Sequence, residues 1–335
     1  MDFGAEAMRR TIGACQERDI LVCGAGGNMQ EAARPVEKNV EGGIRVAILA
    51  FCEREFGVAG PDKPGAAWIS HPVALEQVAH AAHTADVVVV MAHGGVEEVP
   101  FSPIQRQMQL RRFIDAGAAL VIGHHPHVPQ GWERYGQGLI FHSLGNFLFD
   151  FPSEVRYPKT EWGLLIKAHF AGSALANVEL VPVETLSDRT IGEMGQVRSP
   201  QKYLEYLNRL SFLLSEPGAL VPYWQEIAIH LWKSRYLPWM RQASGAKSGI
   251  RFHIHGLCKE IGRKLGDLCL QRDRIADIEA EDGLLLLNTI RNESHRWTLE
   301  TALSVLHEDE VDCRTPAVQT EARELLEWTL ETINN

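Results

Sequence analysis

The chain has 335 residues, 45% of them hydrophobic and 23% charged. This is an ordinary globular composition, enough for one large or two ordinary domains. A formal net charge of −10 argues against general nucleic-acid binding, and it repels polyanions except where a metal or a local basic patch reverses the field.

No apolar run approaches the ~20 residues of a membrane span, so no transmembrane segment is expected. No basic stretch followed by an apolar core opens the chain, so no signal peptide is expected either. The six cysteines (15, 23, 52, 258, 269, 313) lack Cys-x-x-Cys spacing and read as reduced thiols in a cytoplasmic-type chain.

Met1–Gln16 carries apolar residues at Ala5, Met8, Ile12 and Cys15, which predicts a helix. Ile20–Cys23 predicts a short strand leading through Gly24-Ala25-Gly26-Gly27-Asn28 into a helix over Met29–Ala33. Such a glycine-rich turn can cradle phosphate. This one lacks the third glycine and the acidic residue of a dinucleotide fingerprint, so a tight turn is the preferred reading. Val36–Val40 and Arg45–Phe51 predict a hairpin about Gly42-Gly43. The Gly/Pro-rich stretch Cys52–Ser70 is a loop placed to shape a cleft, and Pro72–His83 is a helix.

Val87–Met91 is short, β-branched and continuous, the pattern of a strand covered on both faces. A helix follows, with Ser102 as N-cap, Pro103 at the first helical position, Gln105 completing a capping box and Gly117 just past the end. Ala119–Ile122 is a second buried strand. Strand, helix, strand makes a βαβ unit with parallel strands. His93 follows the first strand, and His125 and His127 follow the second. Ligands bind beyond the carboxyl ends of strands in open α/β sheets. Neutral imidazole is a common metal ligand, and a His-x-His pair in extended chain points both rings one way. The three imidazoles are therefore expected to share one crevice, against the blander reading of unrelated loop histidines. Glu97 and Glu98, on the next loop, read equally well as solvated or as groups that orient an imidazole or donate a proton.

Gln130–Tyr135 and Leu139–His142 predict a hairpin turned by Gly136-Gln137-Gly138. Asn146, just beyond it, reads as a turn asparagine bonded to its own backbone or as a group that ligates or orients at the cleft. Trp162–Phe170 and Ala176–Val183 are expected to pair and close the sheet.

His-Gly-Gly-Val-Glu (93–97), Asp-Ala-Gly-Ala-Ala-Leu-Val-Ile-Gly-His-His-Pro-His-Val (115–128) and Ser-Leu-Gly-Asn-Phe-Leu-Phe-Asp (143–150) resemble the signature segments of the CapA family. These are capsule and poly-γ-glutamate biosynthesis proteins with a calcineurin-like metallophosphoesterase fold. The resemblance runs from about Asp2 to Asp150, more weakly to about residue 185, and includes Glu31-Ala32-Ala33-Arg34-Pro35 as a helix end. It implies an α/β fold: a metallophosphoesterase-like β-sandwich with flanking helices.

By position, the resemblance implies His93, His125 and His127 as metal ligands, with no role for His124. Glu97, which matches the family's His-x-Gly-x-Glu segment, and His127 are expected as catalytic groups, and Gly94 and Asn146 as substrate-binding residues. The cofactor that the resemblance implies is a divalent ion, with Mn, Zn, Fe and Mg not distinguished. The family's Asp-bearing first strand, Asn-Leu-Glu turn and Asn-Asn-His turn have no counterpart here. The domain is therefore expected to be N-terminally truncated, its three histidines able to hold one metal in an open site rather than two.

Residues 188–200 are polar with Gly and Pro and predict a linker between a CapA-like domain (1–187) and an all-α extension (201–335). Helices are expected at Tyr203–Leu214, Tyr223–Trp239, His255–Leu270, Asp277–Asn292, Arg296–His307 and Thr320–Ile333. Leu284–Leu287, Leu303, Val305 and Leu306 should supply their core, with Trp224, Trp232, Trp239 and Trp297 as core or interface residues. His253-Ile254-His255 is expected to be structural or superficial.

Two functions stay open. One is a metal-dependent hydrolase acting on an anionic exopolymer or phosphoester in capsule synthesis. The other is a non-catalytic polymer-binding or scaffold protein. The resemblance adds association with a membrane biosynthesis complex, and a cell-envelope location if an anchor precedes the chain.

Overall fold

A computed structural model describes residues 3–55, 57–148, 160–184, 200–243 and 287–330. The predicted 188–199 linker, the His255–Leu270 helix, most of Asp277–Asn292, Leu284–Leu286 and the 253–255 histidines lie outside the described residues.

A mixed six-stranded sheet lies at the centre. In chain order the elements are α1 (Gly4–Gln16), β1 (Ala25–Gly26), α2 (Met29–Ala32), β2 (Val36–Asn39), β3 (Arg45–Cys52), β4 (Gly65–Ala66), α3 (Pro72–Thr84), β5 (Val87–His93), α4 (Ile104–Asp115), β6 (Leu120–His124), β7 (Trp132–Tyr135) and β8 (Gly138–Phe141). The sheet order is β2-β3-β5-β6-β8-β7. β3, β5, β6 and β8 run parallel, while β2 and β7 are antiparallel edges.

Alternation along the strands sorts the core. Leu49, Val88, Val90, Val121 and Ile140 pack with α2, α3 and α4 on one face. Val89, Met91, Leu120, Ile122, Leu139 and Phe141 face the other way. Each fully enclosed aliphatic side chain contributes about 2 kcal/mol. The second face is covered by an antiparallel ribbon, β9 (Trp162–Ala171) with β10 (Ala174–Glu184), and by α5 (Pro200–Ser215), α6 (Leu220–Leu231), α8 (Glu293–Leu306) and α9 (Pro316–Leu330). A π-helical turn (Trp232–Tyr236) joins α6 to α7 (Leu237–Ala243).

The helical part therefore shares a core with the sheet. Tyr203 and Tyr206 donate to the carbonyls of Gly163 and Pro129 at 2.8 and 2.9 Å. Trp224 and Trp232 are buried as expected. Leu303 and Val305 are core residues, but Leu287 and Leu306 are exposed.

Several sequence expectations are corrected. Residues 20–23 form no strand; Ile20 and Leu21 lie on the surface, without a partner strand to pair with. The capping box before α4 does not form. Pro103 occupies the N-cap, and the buried Ser102 Oγ has no hydrogen-bond partner among the described residues. Gly117 does sit past the helix end, at φ +106°. β9 and β10 pair with each other instead of closing the main sheet. Among the described residues they join its neighbourhood through a bridge between Gly145 and Gly163.

A polar knot pins β7 and β8 to the helices. Glu133 accepts from Gln107, Arg111 and His142, the last at 3.1 Å. Burial pushes the His142 pKa down and outweighs the opposing pull of Glu133. Burial also raises Glu133, but the bonds from His142 and Arg111 win and leave it low. The unfolded chain takes up protons at these groups near their ordinary values of 6.5 and 4.5, before the folded chain does. Their contribution is complete above about pH 6.5 and is lost as pH falls through the folded values. The melting temperature is expected to drop between pH 7 and pH 5 in calorimetry. A midpoint that holds or rises over that interval contradicts this account.

Candidate metal centre

β3, β5 and β6 end side by side, with Cys52 registered against His93 and His93 against His124. The ladder continues past the strands. Glu53 N–H donates to the His93 carbonyl at 3.0 Å, and Gly94 N–H donates to the His124 carbonyl at 2.9 Å. The loops beyond this frame carry the candidate residues.

The three imidazoles meet. The His93 and His125 ring centres are 4.7 Å apart, and those of His125 and His127 are 5.8 Å apart. The reason differs from the sequence expectation. The His125-Pro126-His127 turn is not extended, because His125 and His127 have φ of +102° and +61°. Such backbone costs on the order of 1–3 kcal/mol per residue and must be held by its surroundings. The Pro126 ring presses on Gly95, where a Cβ would come within 2.8 Å of it. The Pro126 carbonyl accepts the Glu98 N–H at 2.8 Å.

The tightest donor group is Glu97, His125 and His127, whose ligand atoms lie within 4.8 Å of one another. His93 stands beside this group, its ring centre 4.7 Å from that of His125, and the residue is partly open to solvent. Asn146 Nδ2 donates to the Thr160 carbonyl at 2.9 Å, which leaves its Oδ1 to accept from His127 Nδ1 at 3.0 Å. That bond places the proton on Nδ1, so the lone pair a metal would need is on Nε2. Both polar ends of Asn146 are thus engaged within the protein. Gly94 is buried too, and a Cβ there would meet the Glu53 carboxylate at 2.5 Å. Its small size serves packing.

Burial, then the fields of His93, His127, Arg106 and His295, push the His125 pKa down to about 3. Burial, then His124, Arg106 and His127, lower His93 to about 4. Both rings are neutral at pH 7, as coordination requires. Two imidazoles and one carboxylate with open positions suit a single divalent ion. No second group of this kind forms among the described residues, so the donors present fit one cation and not a bridged pair.

Residues from the helical part also reach the strand ends, and no sequence motif marks them. Glu53 is buried at 3.6 Å from the buried Arg106 and accepts from Ser294 Oγ at 2.7 Å. Glu293 accepts from Trp68 Nε1, Ser70 Oγ and Arg54 N–H at 2.6, 2.7 and 2.8 Å. Tyr236 Oη and His295 Nδ1 are 2.8 Å apart, and Arg235 Nη2 lies 3.7 Å from Glu97 Oε2. No local pattern marks these positions; only packing between segments distant in sequence, up to 241 positions apart, brings them together.

Comparison with known proteins matches residues 1–151 to a family described as bacterial capsule synthesis protein PGA_cap. A capsule biosynthesis protein CapA of Bacillus anthracis is 37% identical over 189 residues, covering 54% of this chain and 44% of the relative. A PGA biosynthesis protein CapA of Bacillus subtilis (strain 168) is 31% identical over 188 residues, covering 55% of this chain and 48% of the relative. The chain thus spans about half the length of these curated relatives. Residues 1–151, whose strand ends carry the histidine cluster, thus match the capsule synthesis family, and this part of the chain is similar to the CapA proteins.

Proposed function

We propose that the chain acts in the synthesis or release of an anionic capsule polymer, poly-γ-glutamate or polysaccharide, as a hydrolase built on a single divalent cation. One observation carries this reading: Glu97, His125 and His127 bring their ligand atoms within 4.8 Å of one another at the strand ends of the family domain. When bound, a divalent ion supplies Lewis acidity toward an acyl or phosphoryl oxygen and lowers the pKa of water. The protein's part is to hold His127 by Asn146, keep His125 neutral, and leave His93, which is partly open to solvent, as a hydrogen-bonding group for the substrate. Glu97, expected as a catalytic carboxylate, is better placed as a ligand.

A second reading, a polymer-binding subunit without catalysis, draws support from the single donor group, since a two-metal clamp needs more. No helix among the described residues is long and apolar enough to cross a membrane.

Elemental analysis of purified protein is expected to find about one equivalent of Mn or Zn. EDTA is expected to abolish hydrolysis of bis(p-nitrophenyl) phosphate or of a γ-linked glutamate oligomer. Protein that takes up no ion from excess Mn²⁺ or Zn²⁺ overturns the metal reading. Metal uptake without hydrolysis of either compound favours the binding subunit.

A further inference from the structure

The π-helical turn Trp232–Tyr236 lies outside residues 1–151 that match the family. Turns of this kind cluster at functional sites, because the extra residue per turn re-aims a side chain. Here Trp232 and Tyr236 are buried and pin the turn at both ends, with Tyr236 also bonded to His295. Lys233, Ser234 and Arg235 are left exposed between them. Arg235 reaches toward the donor group, 3.7 Å from Glu97 Oε2, with each side chain about two-fifths exposed. At that separation the pair is an ion pair without a proper hydrogen bond. Arg235 also acts on Glu98 through its field, but among the described residues its guanidinium makes no close ion pair besides the one with Glu97.

We infer that Arg235 is the substrate-anion clamp of the cleft, gripping a carboxylate or phosphoryl group of the polymer chain beside the metal donors. This rests on the reading of the cleft as a site for an anionic polymer. Three observations converge on it. A guanidinium binds planar oxyanions through paired N–H bonds, which a lone ammonium cannot do. The chain carries a net charge of −10, so a polyanion needs local reversal of the field, and Arg235 supplies a positive charge beside the donor group. Glu97 now occupies the guanidinium weakly, and a cation that takes up Glu97 releases Arg235. Metal binding and anion binding are therefore coupled in the same direction.

The test uses the full chain and two probes, a γ-linked glutamate pentamer and p-nitrophenyl phosphate, titrated by calorimetry with Mn²⁺ and again in EDTA. Arg235→Gln is expected to weaken the binding of at least one probe by about tenfold or more, and Arg235→Lys by less. Preference for the pentamer assigns a carboxylate and preference for the phosphate ester a phosphoryl group. Mn²⁺ affinity should be unchanged or tighter in Arg235→Gln, because a competitor for Glu97 is gone. A merely structural arginine would lower metal and probe affinity together, and that result overturns the proposal. Wild-type binding of both probes by Arg235→Gln overturns it as well. If wild-type protein binds no Mn²⁺, the metal reading fails separately. The clamp is then judged in EDTA alone, by the difference between wild type and Arg235→Gln.

Discussion

Arg106→Leu is expected to cost about 3–5 kcal/mol of folding stability at neutral pH, the usual loss when one partner of a buried ion pair is removed. The Arg106 guanidinium is almost wholly enclosed and lies 3.6 Å from Glu53, which is fully enclosed. It also donates to the Ala92 carbonyl at 3.0 Å and to Gln109 Oε1 at 2.7 Å. Burial raises the Glu53 pKa from 4.5 to about 7 even with Arg106 opposing it, so without the arginine it climbs further. A carboxyl group raised on folding adds stability that is complete below its unfolded value and disappears as pH rises through the folded one. The variant's deficit should therefore be larger at pH 8 than at pH 5. Adding Glu53→Gln to Arg106→Leu should recover part of it, because the stranded charge is gone. Urea unfolding at both pH values measures this. A loss below about 1 kcal/mol at pH 8 would show that the pair is not the linchpin its burial implies.

His127→Ala is expected to reduce affinity for Mn²⁺ or Zn²⁺ beyond the roughly 10–100-fold typical of losing an outer hydrogen-bond partner. It removes one of three donors that lie within 4.8 Å of one another. Asn146→Ala leaves the donor group intact but removes the acceptor that holds the His127 ring, 3.0 Å from Nδ1, together with the bond to the Thr160 carbonyl, and should fall inside that 10–100-fold range. The order of the two losses is the informative result. Equal, small effects from both would place the cation elsewhere. Because His127 sits at φ +61°, an alanine there keeps the backbone strain, and the comparison isolates the ring.

The sheet was legible wherever one strand carried its own signal. Val87–Met91 and Ala119–Ile122 are continuous apolar runs, and both became central parallel strands. The hairpins about Gly42-Gly43 and Gly136-Gln137-Gly138 also formed, since their turns are encoded locally. Ile20–Cys23 carried a similar run but had no neighbour to pair with, and pairing is not visible in one segment. At Ser102 the local cap signal lost to Pro103, whose φ of −53° and ψ of 144° mark it as the residue before the helix. In the cleft, the family motif pointed to His93, His125, His127 and Glu97. Their mutual distances depend on two left-handed residues that no sequence rule anticipates. Arg235 and His295 looked like ordinary residues of amphipathic helices, because what distinguishes them is a neighbour more than a hundred positions away.

The clasp between the β3 exit and the start of α8 has a consequence for how the chain is made. Glu53 bonds to Ser294, and Arg54 to Glu293, across 241 and 239 positions of sequence. Contacts of that span carry a large closure entropy and form late. During translation, the emerging domain would expose one face of its sheet until β9, β10, α5 and α6 follow, and the Glu53 carboxylate until α8 leaves the ribosome. The nascent protein thus passes through a sticky, half-finished interval, and a chaperone that shields that face would raise the yield of active molecules.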